Sequence, residues 1–293
     1  MAKMISGFIN VNKQAGVTSG RVVNRIKGIM RAQGLEITKI GHLGTLDPDG
    51  EGVLPIAIGR ATRLFDLLTN KTKVYYTIFR FGETSDTLDA SGTITETNEK
   101  LPTKEEILAI IPSLTGEIAQ IPPSYSAKVI NGERAYKLAR KGETPDLKAK
   151  LIKIESIELI EQLNDREYAF RVTCGGGTYI RSIARDMASA LGTVGLMSYI
   201  KREQSGAFDL TTAYTLDELQ NDLASKILPL DYVLSTYPEF TPPYYKNKLV
   251  LDGVHTEIKN MPDCDFKLII DGKLVGIAEK LPDNTINIKI RLL

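Results

Sequence analysis

Between residues 41 and 55 the chain reads GHLGTLDPDGEGVLP. No helix runs through four glycines and two prolines packed this closely, so the stretch has to turn. It also carries three carboxylates and a histidine. Pro48 disfavours helical φ/ψ at Asp47 and pushes it to an extended conformation. The glycines let another backbone, or a ligand, come close. The stretch reads as a stiff loop holding a carboxylate in place, and a nucleophilic or base-acting aspartate needs a counter-charge that keeps it ionised.

Two other uses of such a loop fail. Asp47, Asp49, Glu51 and Gly52 mimic the start of a calcium loop, but Ile58 stands at the twelfth position, where a bidentate Glu is required. A phosphate loop fails because neither this stretch nor CGGGT is followed by Gly-Lys-Ser/Thr.

The flanks have clear periodicities. Residues 7–13, GFINVNK, alternate as a strand. In GVTSGRVVNRIKGIMRAQG, Thr18 or Ser19 can cap a helix with Val22, Val23, Ile26, Ile29 and Met30 on one face and Gly34 at its end. Arg21, Arg25, Lys27 and Arg31 take its other positions. VYYTIFRFG (74–82) reads as a strand, and 103–111 as a helix with a Thr103/Glu106 capping box. Further strands are LIKIESIELI and YAFRVTC. A helix follows the glycine turn of CGGGTYIRSIARDMASALG, with Arg181 in its first turn, the wrong end of a helix for a cation. Residues 240–293 form short strand-like runs with Asp-Gly as a hairpin turn.

With 293 residues, 42% of them hydrophobic, the chain can bury a full core and split into two units. Its N-terminus shows no signal-peptide pattern, and no run is long and apolar enough for a membrane span. Two distant cysteines suit a reducing compartment, so a cytoplasmic protein is expected. Two isolated histidines make a zinc site, or any metal site, unexpected. A net charge of +1 means that nucleic-acid binding has to rest on local patches. The most suggestive is QIPPSYSAKVINGERAYKLARKGETP, with Lys128, Arg134, Lys137, Arg140 and Lys141 interleaved with Tyr125 and Tyr136.

These segments, in this order, resemble the TruB branch of the pseudouridine synthases. GHLGTLDPDGEGVLPIAIGRATRL resembles its signature loop, and KVYYTIFRFGETSDTLDASG its tyrosine-bearing strand and the segment after it. QIPPSYSAKVINGERAYKLARKG looks like its RNA-gripping insertion. GGGTYIRSIARDMASALG and YIKREQSGAF look like two further motifs, so the similarity runs from residue 7 to about 215.

The resemblance implies an α+β pseudouridine synthase fold over 1–235, with a mixed, largely antiparallel central sheet and an RNA-gripping insertion at about 124–148. A small β-rich PUA-like unit is implied over 240–293. It implies isomerisation of uridine at position 55 in the T-arm of tRNA, by base flipping and without a cofactor. Asp47 is then the catalytic carboxylate, Arg181 the arginine paired with it and Tyr75 the aromatic that stacks on the flipped base. His42 takes the place that the flipped base leaves, and Tyr179 and Ile200 line the pocket. Lys13 aligns with a family lysine, although Gln14 replaces the proline that follows. Lys13, Arg21, Arg25, Lys128, Arg134, Lys137, Arg140 and Lys141 are the expected RNA contacts. The expected partner is tRNA, with no membrane and no obligatory protein partner, and the chain is expected to be a monomer. An RNA-guided synthase subunit and an RNA-folding module without catalysis are the alternatives. The long insertion speaks against the first, and the set Asp47, Tyr75 and Arg181 against the second.

Overall fold

The computed structural model describes residues 5–293 apart from Ile37, Ala127, Asn131 and Thr144. The first four residues of the N-terminal segment, and three positions of the 124–148 insertion, therefore lie outside the described residues.

Local signals in the sequence set most of the elements. The segment GFINVNK becomes β1 (Gly7–Lys13). Thr18 caps α1 (Ser19–Ala32) by accepting from the Arg21 amide, and Gly34 leaves the helix at φ 68°. β2 (Ile40–His42) and β3 (Glu51–Ile58) flank the glycine-rich loop, and a 3-10 turn leads into the short α2 (Phe65–Thr69). β4 (Lys73–Phe81) alternates strictly, with Lys73, Tyr75, Thr77, Phe79 and Phe81 buried. β5 (Glu83–Ser85) and β6 (Ile94–Thr97) form a small ribbon. The Thr103/Glu106 capping box starts α3 (Lys104–Ile110), and β7 (Gly116–Gln120) follows. The insertion folds as a two-stranded ribbon, β8 (Val129–Ile130) with β9 (Glu133–Arg134), and α4 (Ala135–Arg140). Then come β10 (Lys150–Gln162), β11 (Glu167–Cys174), α5 (Ile180–Ala190), β12 (Gly195–Ser205) and β13 (Phe208–Asp209).

The large sheet has the order β1-β3-β12-β4-β11-β10-β7, with β2 beside β3 and β13 beside β12. Every pairing is antiparallel except β3 with β12, where Glu51 faces Lys201 and Gly52 faces Arg202. This parallel seam forms at the end of the glycine-rich loop and ties it to the middle of the sheet. α1 and α5 bury their apolar stripes in one core with Tyr75, Phe79, Phe81 and Phe170. Each such side chain contributes about 1.5–3 kcal/mol by leaving water.

After α6 (Leu216–Asn221) the chain enters a four-stranded sheet. Its elements are β14 (Glu239–Phe240), α7 (Asn247–Leu251), β15 (Phe266–Ile270), β16 (Lys273–Lys280) and β17 (Ile286–Arg291). Asp271 and Gly272 turn β15 into β16 with φ of 51° and 70°, the left-handed pair of a type I′ hairpin. The sheet has an apolar cluster around Phe266, Leu268 and Val275. Its other face joins a second cluster, in which Ile277 and Leu292 pack with Phe8, Leu43, Ala57 and Leu64. Arg60 and Arg63 donate to the Leu292 and Arg291 carbonyls at 3.2 and 2.7 Å.

Candidate active site

Within the loop, the Gly50 amide donates to the Asp47 carbonyl at 3.0 Å, closing a tight turn with Pro48 at its second position. Just before Asp47, Leu46 is fixed at both backbone groups by Ser19. Its amide donates to Ser19 Oγ and its carbonyl accepts from it, each at 3.0 Å.

Two buried cations grip the same loop from below. Lys13, 1% exposed, donates from Nζ to the carbonyls of Pro48 at 2.7 Å, Gln14 at 3.1 Å and Gly50. Arg202, also 1% exposed, donates to the carbonyls of Val53 at 2.7 Å and Gly44 at 3.1 Å. Lys13 was expected to be an RNA contact. Its ammonium instead faces inward, where loop carbonyls occupy it, because residue 13 shares a face of β1 with the core residues Ile9 and Val11. Burial lowers its pKa to about 8, against the pull of Asp49, Asp47 and Glu51. Glu51 accepts from Tyr199 Oη at 2.9 Å.

Asp47 tops this loop and Arg181 meets it. Arg181 Nε lies 3.0 Å from Asp47 Oδ2, and Nη2 lies 3.0 Å from Oδ1. The same guanidinium donates to the Thr87 and Tyr125 carbonyls at 2.9 and 3.1 Å and stands 3.5 Å from Asp89. Asp89 is held by Thr87 Oγ1 at 2.6 Å and Ser91 Oγ at 2.7 Å. The Arg181 side chain is 7% exposed and that of Asp47 37%, so one lobe of the carboxylate stays open to a ligand.

Arg181 was expected to hold the Asp47 pKa down. The net shift is upward, because protein surrounding the carboxylate disfavours its charge and nearby Asp89 adds to this. Arg181 and Lys13 pull the other way without prevailing. The carboxylate therefore ionises above the ordinary range of an aspartate.

Asp47, Tyr75, Tyr179, Arg181 and Ile200 all line one cleft of about 270 Å³. Tyr75 projects from β4, and burial raises its pKa and keeps the phenol neutral. Tyr179 precedes α5 and is pinned through its backbone. Its amide donates to Gln120 Oε1 at 2.8 Å, and its carbonyl accepts from Gln120 Nε2 at 3.1 Å. His42 is half-buried on β2 and is not in the cleft lining. Burial, then Arg202 and Arg134, lower its pKa, so it is uncharged at neutral pH. Arg202 and Gln120 were not singled out in the sequence, and Ser19 only as a possible helix cap. All three act through backbone groups far along the chain, for which no spacing rule exists.

The expected RNA contacts other than Lys13 lie on the outside. Arg21 and Arg25 are exposed on α1, with no ion-pair partner among the described residues. Arg134, Lys137 and Arg140 are exposed on the insertion, where Arg140 sits over the Tyr136 ring at 5.5 Å. Lys128 Nζ bonds the Lys148 carbonyl, and Lys141 pairs with Glu133 at 2.9 Å. Among the described residues no group of His, Cys, Asp and Glu is placed to hold a metal, and no helix is long and apolar enough to cross a membrane.

The nine-stranded mixed sheet thus carries a carboxylate–guanidinium pair in a cleft beside its parallel seam. Residues 32–180 match the family model described as TruB family pseudouridylate synthase, N-terminal domain. A protein of Cereibacter sphaeroides named tRNA pseudouridine synthase B is 42% identical over 242 residues, 81% of this chain and 79% of that one. A protein of the same name from Clostridium kluyveri is 36% identical over 94% of this chain and 95% of its own. The chain belongs to the TruB family of pseudouridylate synthases. Among solved structures, the fold matches a chain of a Cbf5–Nop10–Gar1 complex with a TM-score of 0.72 at 24% identity. It also matches a chain of an H/ACA RNP bound to a substrate RNA containing 2′-deoxyuridine, with a TM-score of 0.71 at 23% identity. Both matches cover 98% of this chain and 85% of the other.

Proposed function

We propose that this chain isomerises uridine to pseudouridine in tRNA, at position 55 of the T-arm, with Asp47 as its catalytic carboxylate and no cofactor. The observation that carries the reading is the two-pronged Arg181–Asp47 pair, which leaves one lobe of the carboxylate open in a cleft walled by Tyr75, Tyr179 and Ile200. The reaction breaks the N1–C1′ bond of uridine, joins C5 to C1′, releases the C5 proton and leaves a proton on N1. The uridine has to leave the RNA stack first, at a cost of a few kcal/mol. The cleft receives the base and Tyr75 stacks on it, while His42, on β2 outside the cleft lining, fills the place the base left.

The exposed cations of α1 and the insertion hold the backbone of the T-stem-loop through phosphate contacts. Residues 1–235 are the catalytic unit, and 240–293 an appended PUA-like unit. The protein works as a cytoplasmic monomer without an obligatory protein partner.

The test is tritium release from a tRNA transcript labelled at uridine C5, with the wild type beside Asp47→Asn. Release by the wild type, lost in Asp47→Asn and on replacement of the target uridine by cytidine, supports the reading. Tight tRNA binding without release from any tRNA would overturn it.

A further inference from the structure

Nearly every buried polar atom in the cleft is already engaged. Lys73 Nζ donates to the Thr69 and Lys71 carbonyls at 2.7 and 2.9 Å, and Thr178 Oγ1 to the Gly175 carbonyl at 3.0 Å. Arg181 and Asp47 hold each other. Ser126 is the exception. It is 3% exposed and lines the cleft, and among the described residues its Oγ has no hydrogen-bond partner. An orphaned buried hydroxyl costs roughly 1–3 kcal/mol, so a fold keeps one at little gain unless a ligand completes it.

Ser126 is also well anchored. Its carbonyl accepts from the Tyr136 amide at 3.0 Å, and the preceding carbonyl, of Tyr125, accepts from Arg181 Nη2 at 3.1 Å. One peptide unit therefore separates this hydroxyl from the guanidinium that orients Asp47. The opening of the insertion thus contributes to the cleft as well as to the outer surface.

We propose that the Ser126 hydroxyl hydrogen-bonds the O2–N3–O4 edge of the flipped uracil. This assignment rests on the function proposed above. The cleft walls formed by Tyr75, Ile200 and Met197 suit the faces of a planar ring but offer its polar edge little. A hydroxyl is suited to that edge because it can both donate and accept, and it rotates freely. The reaction makes this useful. Turning uracil about the line through N3 and C6 exchanges N1 with C5, as the chemistry requires, and exchanges O2 with O4. The edge then presents the same acceptor–donor–acceptor order before and after the turn. One rotating hydroxyl keeps its partner throughout, while the glycosidic side of the ring is rearranged.

The test combines Ser126→Ala with altered transcripts. Ser126→Ala should melt at the wild-type temperature or above it, since an unpaired hydroxyl has been removed, while its single-turnover tritium release falls about tenfold. Placing 4-thiouridine at the target weakens the O4 acceptor, so it should slow the wild type and leave Ser126→Ala little affected. An unchanged rate in Ser126→Ala, or an equal 4-thio penalty in both proteins, overturns the assignment. A 2′-deoxyuridine penalty that disappears in Ser126→Ala would put the hydroxyl on the ribose and overturn it too. Absence of tritium release by the wild type from any tRNA would instead remove the underlying function.

Discussion

Arg181 meets Asp47 with two nitrogens, each 3.0 Å from a different carboxylate oxygen, and the two residues lie 134 positions apart in the chain. The pair is not a simple device for lowering a pKa. Burial and Asp89 outweigh the arginine, so Asp47 takes up a proton at higher pH than an ordinary aspartate. If the chemistry needs the carboxylate, activity is present above that raised pKa and lost as the pH falls through it. The stability term has the opposite sign. Folding tightens the proton on Asp47, so its contribution is full in acid and is lost as the pH rises through the folded pKa. Arg181→Lys keeps the charge but loses the fork, so the acid limb of the single-turnover rate should move further up in pH. A limb that stays in place, or moves down, would show that another group controls it.

Lys13 makes a second pH-dependent prediction. Its pKa falls from 10.5 to about 8 on folding, so between those values the unfolded chain holds more protons. Its share of stability is full above 10.5 and is lost as the pH falls through about 8. At pH 9, calorimetric unfolding in buffers of different ionisation enthalpy should show the wild type taking up about one proton more than Lys13→Met. The variant should lose roughly 2–4 kcal/mol near neutral pH, because it strands loop carbonyls. Its tRNA affinity should be nearly unchanged, since Lys13 faces inward; a large loss of affinity would restore it to the RNA footprint.

Two glycines of the loop should differ sharply. Gly52 has φ 93°, and a Cβ there would stand 2.3 Å from the Arg202 carbonyl oxygen, within the parallel seam. Gly44 has φ 121° but nothing nearer than 3.6 Å. Gly44→Ala should cost about 1 kcal/mol, for backbone strain alone. Gly52→Ala should cost more than ~3 kcal/mol, or prevent folding. Denaturant midpoints of the two variants give the comparison, and equal losses would contradict the close approach.

The insertion should act through phosphates. Replacing Lys128, Arg134 and Arg140 by alanine should weaken tRNA binding and flatten the dependence of log K on log salt by roughly two units. Lys141→Ala should do less, because Glu133 at 2.9 Å already draws on that charge. An unchanged slope in the triple variant would remove the patch from the footprint.

Elements governed by neighbouring residues were legible in the sequence. The Thr18 cap, the Thr103/Glu106 box, the alternation of VYYTIFRFG and the Asp271–Gly272 turn all appear where periodicity and capping put them. The pairing of Asp47 with Arg181 came from the family resemblance, and the need of one for a counter-charge and the place of the other at the wrong helix end agreed with it. Burial was not legible. Arg202 stands in YIKREQ among exposed-looking polar residues, yet the β3–β12 seam turns it into the core. Lys13, expected to be an RNA contact from its alignment with a family lysine, is likewise buried. The direction of the Asp47 shift depends on how much protein surrounds it, which no spacing records.

The two buried cations hold carbonyl oxygens of the loop rather than its side chains. A grip on the main chain does not depend on the residue types it passes through. Thr45, exposed and facing the clamp only through its carbonyl, is therefore open to library mutagenesis, whereas Asp49, also exposed, helps keep the Lys13 ammonium charged. Diversity can accumulate around Asp47 while the position of its carboxylate is inherited from lysine and arginine side chains on two other strands.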